Sequence, residues 1–169
     1  ALSSSIKIMK ESGAHAVKLE GGDDVVDSIK RILLAGIPVM GHLGLIPQSI
    51  YKFGTYSVRA QEDAEAQKLI DDAKTLEQAG VFALVLEKVP ADLAQKIANS
   101  ISIPVIGIGA GNSVDGQVLV SHDMFGMTHE FSPRFLRRYL NLYEDMKNAV
   151  NQYCLDVQMG DFPNNKEQS

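Results

Sequence analysis

The sequence predicts an α/β fold built on a parallel β-sheet. Segments with the apolar, β-branched character of buried strands alternate with segments of helical periodicity along the 169 residues. The runs ALVLE and PVIGIG are almost continuously apolar, which is typical of parallel strands that helices cover on both faces. Strands that alternate with helices in this way form a parallel sheet with helices packed against it.

The first quarter of the chain contains two strand signals, each preceded by a helix signal. The opening helix spans residues 3–12 and is stopped by Gly13, and HAVKLEG follows it as a strand. DDVVDSIKRILLAG then has acidic residues in its first turn and Gly36 at its end, which marks a second helix. IPVMGHLGL is the second strand.

The remainder of the chain continues the alternation after a long loop. Residues 46–61 show no steady period and carry Gly, Pro, Ser and Thr, so we expect a functional loop there. The later segments have these predicted structures: helix 62–80, strand 81–87, helix 90–101, strand 103–111, strand 116–126, a basic amphipathic helix from Pro133 onward, and a polar tail over 160–169.

Polar side chains stand where three of the strands end. VKLEGG, VMGHLG and LVLEKVP place Lys18, Glu20, His42 and Glu87 at these ends. A (β/α)₈ TIM barrel gathers its active site from the carboxyl ends of several strands, whereas an open sheet binds ligands at one switch point. We therefore predict a barrel.

The length of the chain is short for that barrel. Such barrels have eight units in about 250 residues, while this sequence shows five strand signals and opens on a helix. We expect residues 1–169 to form a single barrel domain that is incomplete on its N-terminal side.

Composition narrows the class of partner. The chain is 45% hydrophobic and 22% charged, with a net charge of −5 and no long run of like charge, which argues against binding to nucleic acid or anionic membranes. No apolar run is long enough to span a bilayer. The single cysteine, Cys154, rules out an intrachain disulfide framework and predicts a reducing, cytoplasmic location. Small molecules are the expected partners.

Lys18 and Glu20 are two residues apart on a strand, so their side chains project from the same face. Glu20 is a candidate metal ligand or catalytic acid or base, and a simple ion pair with Lys18 is the alternative. Glu87 ends an almost fully apolar strand, which suits a carboxylate to act as a general base. Pairing with Lys88 is the alternative for Glu87.

Two further motifs have weaker interpretations. His42 lies between Gly41 and Gly44, which leave room for a ligand, although an ordinary hydrogen-bonded histidine fits the pattern as well. GIGAGN has the spacing G-x-G-x-G, which departs from the dinucleotide-binding fingerprint. We interpret it as a glycine loop over which a planar ligand passes. His122 and Asp123 could form a second polar pair at the last strand end, but a structural role in the loop fits the pattern better.

Four motifs in the same order and spacing resemble one enzyme family. VKLEGG, GHLGLIPQS, LVLEKVP and IPVIGIGAGNSVDGQVLVSHDMFG closely resemble the ketopantoate hydroxymethyltransferase family, from about Ile6 to the C-terminal tail. The resemblance implies a (β/α)₈ barrel, of which this chain covers about the last five units. It also implies Mg²⁺, large homo-oligomers, and transfer of a one-carbon unit from 5,10-methylenetetrahydrofolate to 3-methyl-2-oxobutanoate.

The resemblance also implies roles for individual residues. Lys18 matches the lysine that holds the oxoacid, Glu20 the acidic residue of the magnesium site, and Glu87 the proton acceptor. His42 matches a histidine that lines the same pocket. A hard cation chelated by a 2-oxoacid would stabilise the charge that develops when C3 loses its proton.

The family's first three β/α units, with two aspartates of the metal site and a serine that contacts the oxoacid, have no counterpart here. We therefore expect these 169 residues alone to be inactive or weakly active. Two alternatives stay open. One is a lyase or mutase of the phosphoenolpyruvate mutase and isocitrate lyase superfamily, and the other is a non-catalytic chain that only associates with other subunits.

Overall fold

Strands and helices alternate in the computed structural model, which describes residues 1–45, 60, 62–130 and 132–168. The chain falls into two units, Ala1–Val118 and Leu119–Ser169. The prediction of a single domain over all 169 residues stays a prediction. The predicted loop 46–61 lies outside the described residues, apart from Ala60.

The described residues of the first unit form the sheet and four α-helices. Its elements are, in chain order, α1 (Leu2–Glu11), β1 (Val17–Glu20), a 3₁₀ turn (Asp23–Val25), α2 (Val26–Leu34), β2 (Val39–Gly44), α3 (Asp63–Ala79), β3 (Ala83–Glu87), α4 (Ala91–Ser100), β4 (Val105–Ile108) and β5 (Gly116–Gln117).

The five strands form one parallel sheet in the order β1-β2-β3-β4-β5. Consecutive strands are neighbours, and each of the first four is followed by a connection back to the same end of the sheet, as parallel pairing requires. The sheet and its intervening helices confirm the α/β prediction. All carboxyl ends of the strands therefore meet at one edge, which is where the polar residues stand.

The core lies between the sheet and the apolar stripes of the helices. Its most completely buried large side chains come from α2, β3, α3 and α4: Ile29, Ile32, Leu76, Leu84, Leu86 and Ile97. Burying such side chains contributes roughly 1.5–3 kcal/mol each. Packing against the helices thus holds the strands in place, together with the residues at their carboxyl ends.

The glycines of GIGAGN pack against the chain itself at one position. Gly111 has a left-handed backbone with φ +83, and an added Cβ there would overlap Ala91 at the start of α4. The close approach at Gly111 is therefore to a helix of the same chain. This is a structural reason for that glycine, and the passage of a planar ligand over the rest of the loop stays a prediction.

The second unit contains α5 (Ser121–Met124) and α6 (Leu142–Met159). Two sequence predictions about residues 116–126 are wrong. The strand predicted over 116–126 ends at Gln117, and Val118 and Val120 are each about half exposed. His122 and Asp123 consequently lie in a short helix and not at a strand end.

The helix predicted from Pro133 begins only at Leu142. Leu136 donates its N–H to the carbonyl of Pro133 in a turn, and the Arg138 guanidinium donates to the carbonyls of Thr128 and His129 at 2.9 Å each. The basic residues therefore precede α6, whose first turn carries Glu144 and Asp145. In the described parts of the chain, no helix is long and apolar enough to cross a bilayer.

Candidate active site

Lys18, Glu20, His42 and Glu87 meet at the carboxyl ends of β1, β2 and β3. Glu20 and His42 are register partners across the first strand pair, and Glu87 lies two residues beyond Val85, the register partner of His42 on β3. Residues two apart on a strand share a face. The parallel register therefore aims all four side chains at one location.

Lys18 and Glu20 both contact His42. The Lys18 ammonium lies 3.0 Å from Nδ1 of His42 and 3.7 Å from Oε1 of Glu20. The same Oε1 is 3.6 Å from Nδ1 of His42. The Lys18 side chain is 44% exposed and the Glu20 side chain only 14%, so the cluster opens to solvent on the side of the lysine.

Glu87 approaches the opposite nitrogen of the imidazole. Its Oε2 lies 3.3 Å from Nε2 of His42, whose side chain is only 2% exposed. Despite this distance, Nε2 has no hydrogen-bond partner among the described residues. Oε2 of Glu20 is likewise buried and unpaired within that part of the chain. Buried polar atoms of this kind are costly and are usually completed by a ligand, an ion or a small rearrangement.

The backbone of Glu87 is fixed by the end of β2. The N–H of Leu45 donates to the Glu87 carbonyl at 2.8 Å. Gly44 has φ +93, and a Cβ at this position would overlap the same carbonyl oxygen. Lys88 follows Glu87 in the left-handed region with φ +48, and its N–H donates to Ile108 at 2.9 Å. Neighbouring strands thus hold the backbone on both sides of the carboxylate.

A buried carboxylate on α3 holds the turn that follows β1. Asp72 accepts a hydrogen bond from the N–H of Asp23 at 3.3 Å, and an added Cβ on Gly22 would overlap its carboxylate. Lys68 donates to Asp72 at 2.9 Å and to Asp23 at 3.1 Å. The two glycines after Glu20 therefore allow the turn to pass directly over α3, close to the site.

The contacts of Lys68 predict how the stability of the fold depends on pH. Its hydrogen bond to Asp23 lowers the pKa of that carboxyl, and its hydrogen bonds to Asp72 and Asp23 raise the pKa of Lys68. A lowered carboxyl pKa stabilises the fold above the carboxyl's unfolded value, and this contribution is lost as the pH falls through the folded value. A raised lysine pKa stabilises it below the unfolded value of the lysine, and this contribution is lost as the pH rises through the folded value.

Lys68→Met is therefore expected to lower the urea midpoint between about pH 5 and pH 9, with the difference from the wild type narrowing below about pH 4 and above about pH 10. The effect is modest because Lys68 and Asp23 are mostly exposed. Lys74→Met, on the exposed side of the same helix, is the matched control. An equal loss at all pH values would show that the lysine acts through packing alone.

Asp72 was not predicted from the sequence to support the site, although its position in the helix pattern was a signal. It occupies the buried stripe of α3 together with Leu69, Ala73 and Leu76. A carboxylate on an otherwise apolar stripe is rarely left without a partner. One partner, Lys68, is one turn earlier on the same helix. The other, the N–H of Asp23, lies 49 residues earlier in the chain at the turn after β1, and periodicity alone does not identify such a partner.

The donors present are compatible with a hard cation. Oε2 of Glu20 is a buried carboxylate oxygen without a hydrogen-bond partner in the described residues, and carboxylate oxygen is the ligand that Mg²⁺ prefers. No group of three His, Cys, Asp or Glu side chains able to hold a metal is found in the described ranges. Glu20 would thus be one ligand among several, with the others supplied by the substrate, water or residues outside these ranges.

Comparison with known proteins gives a consistent result. The sequence model of the ketopantoate hydroxymethyltransferase family matches residues 1–165. Proteins named 3-methyl-2-oxobutanoate hydroxymethyltransferase from Flavobacterium johnsoniae, Christiangramia forsetii and Bacteroides fragilis are 73%, 69% and 65% identical over 99% of this chain. The chain spans about 62%, 62% and 61% of the length of these relatives. On the match over nearly its whole length, the chain belongs to the ketopantoate hydroxymethyltransferase family.

Proposed function

We propose that this chain takes part in transferring a one-carbon unit from 5,10-methylenetetrahydrofolate to 3-methyl-2-oxobutanoate, which gives ketopantoate for pantothenate synthesis. The proposal rests on one observation. The Lys18 ammonium, two carboxylates and a buried histidine converge at three adjacent strand ends. The names of relatives at 63–73% identity support 3-methyl-2-oxobutanoate as the acceptor and hydroxymethyl transfer as the reaction.

Each of the charged residues has a task in this reaction. The half-exposed Lys18 ammonium would pair with the carboxylate of the oxoacid. Glu87 would take the proton from C3, so that the electron pair of the C–H bond enters the C2–C3 double bond of the enolate. C3 would then form a bond to the methylene carbon of the folate as the C2 carbonyl re-forms, and water would supply the hydroxyl oxygen of the product. Both bonds from that carbon to the folate nitrogens break, and tetrahydrofolate leaves with one proton from water and the proton that Glu87 took from C3.

Glu20 would contribute its unpaired oxygen to Mg²⁺. When bound, this ion would supply Lewis-acid stabilisation of negative charge on the oxoacid. The surroundings of the site are low in polarity because His42 is buried and the neighbouring strand β3 is apolar. Low polarity in the surroundings strengthens the attraction between the lysine, the carboxylates and a charged substrate.

The location and assembly of the chain are also part of the proposal. The single cysteine, Cys154, is free and exposed, which fits the reducing cytoplasm. Helix α6 of the second unit exposes Tyr143, Met146, Val150 and Tyr153. A helix with this many exposed apolar residues supports association between copies of the chain.

The proposal is tested by oxoacid binding and proton exchange in the full chain. With Mg²⁺ present, calorimetry is expected to detect binding of 3-methyl-2-oxobutanoate to the chain. Proton NMR in D₂O is expected to show loss of the signal of its C3 proton as deuterium replaces it. Lys18→Met should weaken oxoacid binding roughly 10-fold or more. Lys30→Met, an exposed lysine on α2, is the control.

Absence of both binding and exchange would contradict the proposal. Tetrahydrofolate release, measured beside the Flavobacterium johnsoniae relative, tests the separate expectation that these 169 residues alone are inactive or weakly active. Equal turnover would contradict that expectation. A second candidate, a chain that only associates with other subunits, is favoured by the absence of a three-ligand metal group from the described residues. Stable association without oxoacid binding would support it.

A further inference from the structure

The direction of the hydrogen bond between Lys18 and His42 follows from the chemistry of the two groups. A lysine ammonium has three donors and no acceptor. At 3.0 Å from its Nζ, Nδ1 of His42 must therefore accept the hydrogen bond and carry no proton. A neutral imidazole has one N–H, so the proton of His42 has to lie on Nε2.

Nε2 faces Glu87 in a buried environment. The His42 side chain is 2% exposed, and Oε2 of Glu87 at 3.3 Å is a carboxylate acceptor at close range. A buried N–H without an acceptor is costly. The terminal torsion of a glutamate is soft, so a small rotation of the Glu87 carboxylate completes the hydrogen bond.

We propose that His42 is a positioning residue for Glu87: it accepts a hydrogen bond from Lys18 at Nδ1 and donates one to Glu87 from Nε2. Both ring nitrogens are then engaged, and neither is left to bind the oxoacid. The hydrogen bond holds one carboxylate oxygen against the imidazole and leaves the other to receive the C3 proton. The role of Glu87 in this inference rests on the proposed function, whereas the direction of the two hydrogen bonds does not.

The arrangement also explains why the lysine and the carboxylate stay apart. Lys18 projects from β1 and Glu87 from β3, with His42 on the intervening strand β2. A direct ion pair between them would neutralise the carboxylate needed as a base. Through His42, Lys18 instead fixes the tautomer that presents a donor to Glu87.

The first test reads the tautomer directly in the full chain without ligands. The protein has four histidines, so ¹⁵N-labelled histidine gives a simple spectrum, and the His42 signals are those lost in His42→Gln. We expect an unprotonated Nδ1 and a protonated Nε2, with the Nε2 signal shifted in Glu87→Gln. A proton on Nδ1, or on both nitrogens, would overturn the proposal, and this reading requires no turnover.

The second test separates positioning from substrate contact. His42→Leu removes both hydrogen bonds, while His42→Gln retains an acceptor and a donor in one side chain. For His42→Leu we expect C3 exchange to slow roughly 10- to 100-fold with an oxoacid Kd within about 3-fold of wild type, and His42→Gln should recover part of the rate.

Loss of oxoacid affinity equal to the loss of exchange would overturn the proposal, since it would place His42 on the substrate. Thermal melts identify a variant that does not fold. In that case the tautomer of His42 in the wild-type chain tests the proposal. A wild-type chain that binds no oxoacid would contradict the proposed function and not the hydrogen-bond directions, so the two failures are distinguishable.

Discussion

Glu87→Gln is expected to slow C3 proton exchange in 3-methyl-2-oxobutanoate by about 10²- to 10⁴-fold, the usual contribution of a general base. Glutamine preserves the size of the side chain and can still contact Nε2 of His42 through its carbonyl oxygen. The amide cannot take a proton, however, so the chemical step is lost while the pocket is kept. Exchange is measured by proton NMR in D₂O, with oxoacid binding measured by calorimetry on the same preparation.

The matched control is Glu11→Gln. Glu11 is exposed at the end of α1 and forms only a long ion pair, 3.9 Å from Lys7. Exchange in this variant should equal that of the wild type. If Glu87→Gln kept its exchange rate within about 3-fold of wild type while binding the oxoacid normally, another group would have to be the base.

Gly44→Ala is expected to have the largest effect on stability, a loss of about 3 kcal/mol or more in the free energy of unfolding. Gly44 has φ +93, which an alanine adopts only with strain. Its new Cβ would also overlap the Glu87 carbonyl and lie 2.9 Å from Cγ1 of Val89. The backbone must move, and the hydrogen bond from Leu45 to Glu87 is the contact that would be broken. Urea unfolding measures the loss.

Gly13→Ala separates strain from overlap. Gly13 also has a positive φ, +69, but nothing lies within 4 Å of its added Cβ. The control should cost only about 1 kcal/mol, the conformational term alone. Similar losses in both variants would show that the contact between β2 and β3 at Gly44 is not the source of the effect.

The strand and helix order was predictable where the patterns are long and unambiguous. The apolar strand ALVLE and the striped helix α3 were both confirmed, and the α/β class follows from their alternation. The family's fold is the TIM barrel, and the five parallel strands form part of that fold. The placement of Glu20, His42 and Glu87 together was also accessible, because parallel strands bring their carboxyl ends to one edge.

The failures occur where short patterns are ambiguous. VLV at 118–120 is apolar and mostly β-branched like a buried strand, yet a run of three residues is too brief to require a sheet partner, and pairing stops at Gln117. The arginines before α6 have helical spacing, but Arg138 donates to two backbone carbonyls of the preceding loop instead. Contacts such as that between Asp72 and the turn after β1 depend on long-range packing, which local sequence patterns do not encode.

The pairing of Glu20 with His42 across β1 and β2 ties the chemistry to the length of each strand. Adding one residue to β2 before His42 would place Gly41 opposite Glu20, and removing one would place Leu43 there. In both cases the imidazole would turn to the other side of the sheet, away from Glu20 and Glu87. Relatives of this chain should therefore differ in length between the strands, and hardly at all within them. The positions of gaps in an alignment of such relatives would then mark the ends of the strands that carry the site, without reference to any catalytic residue.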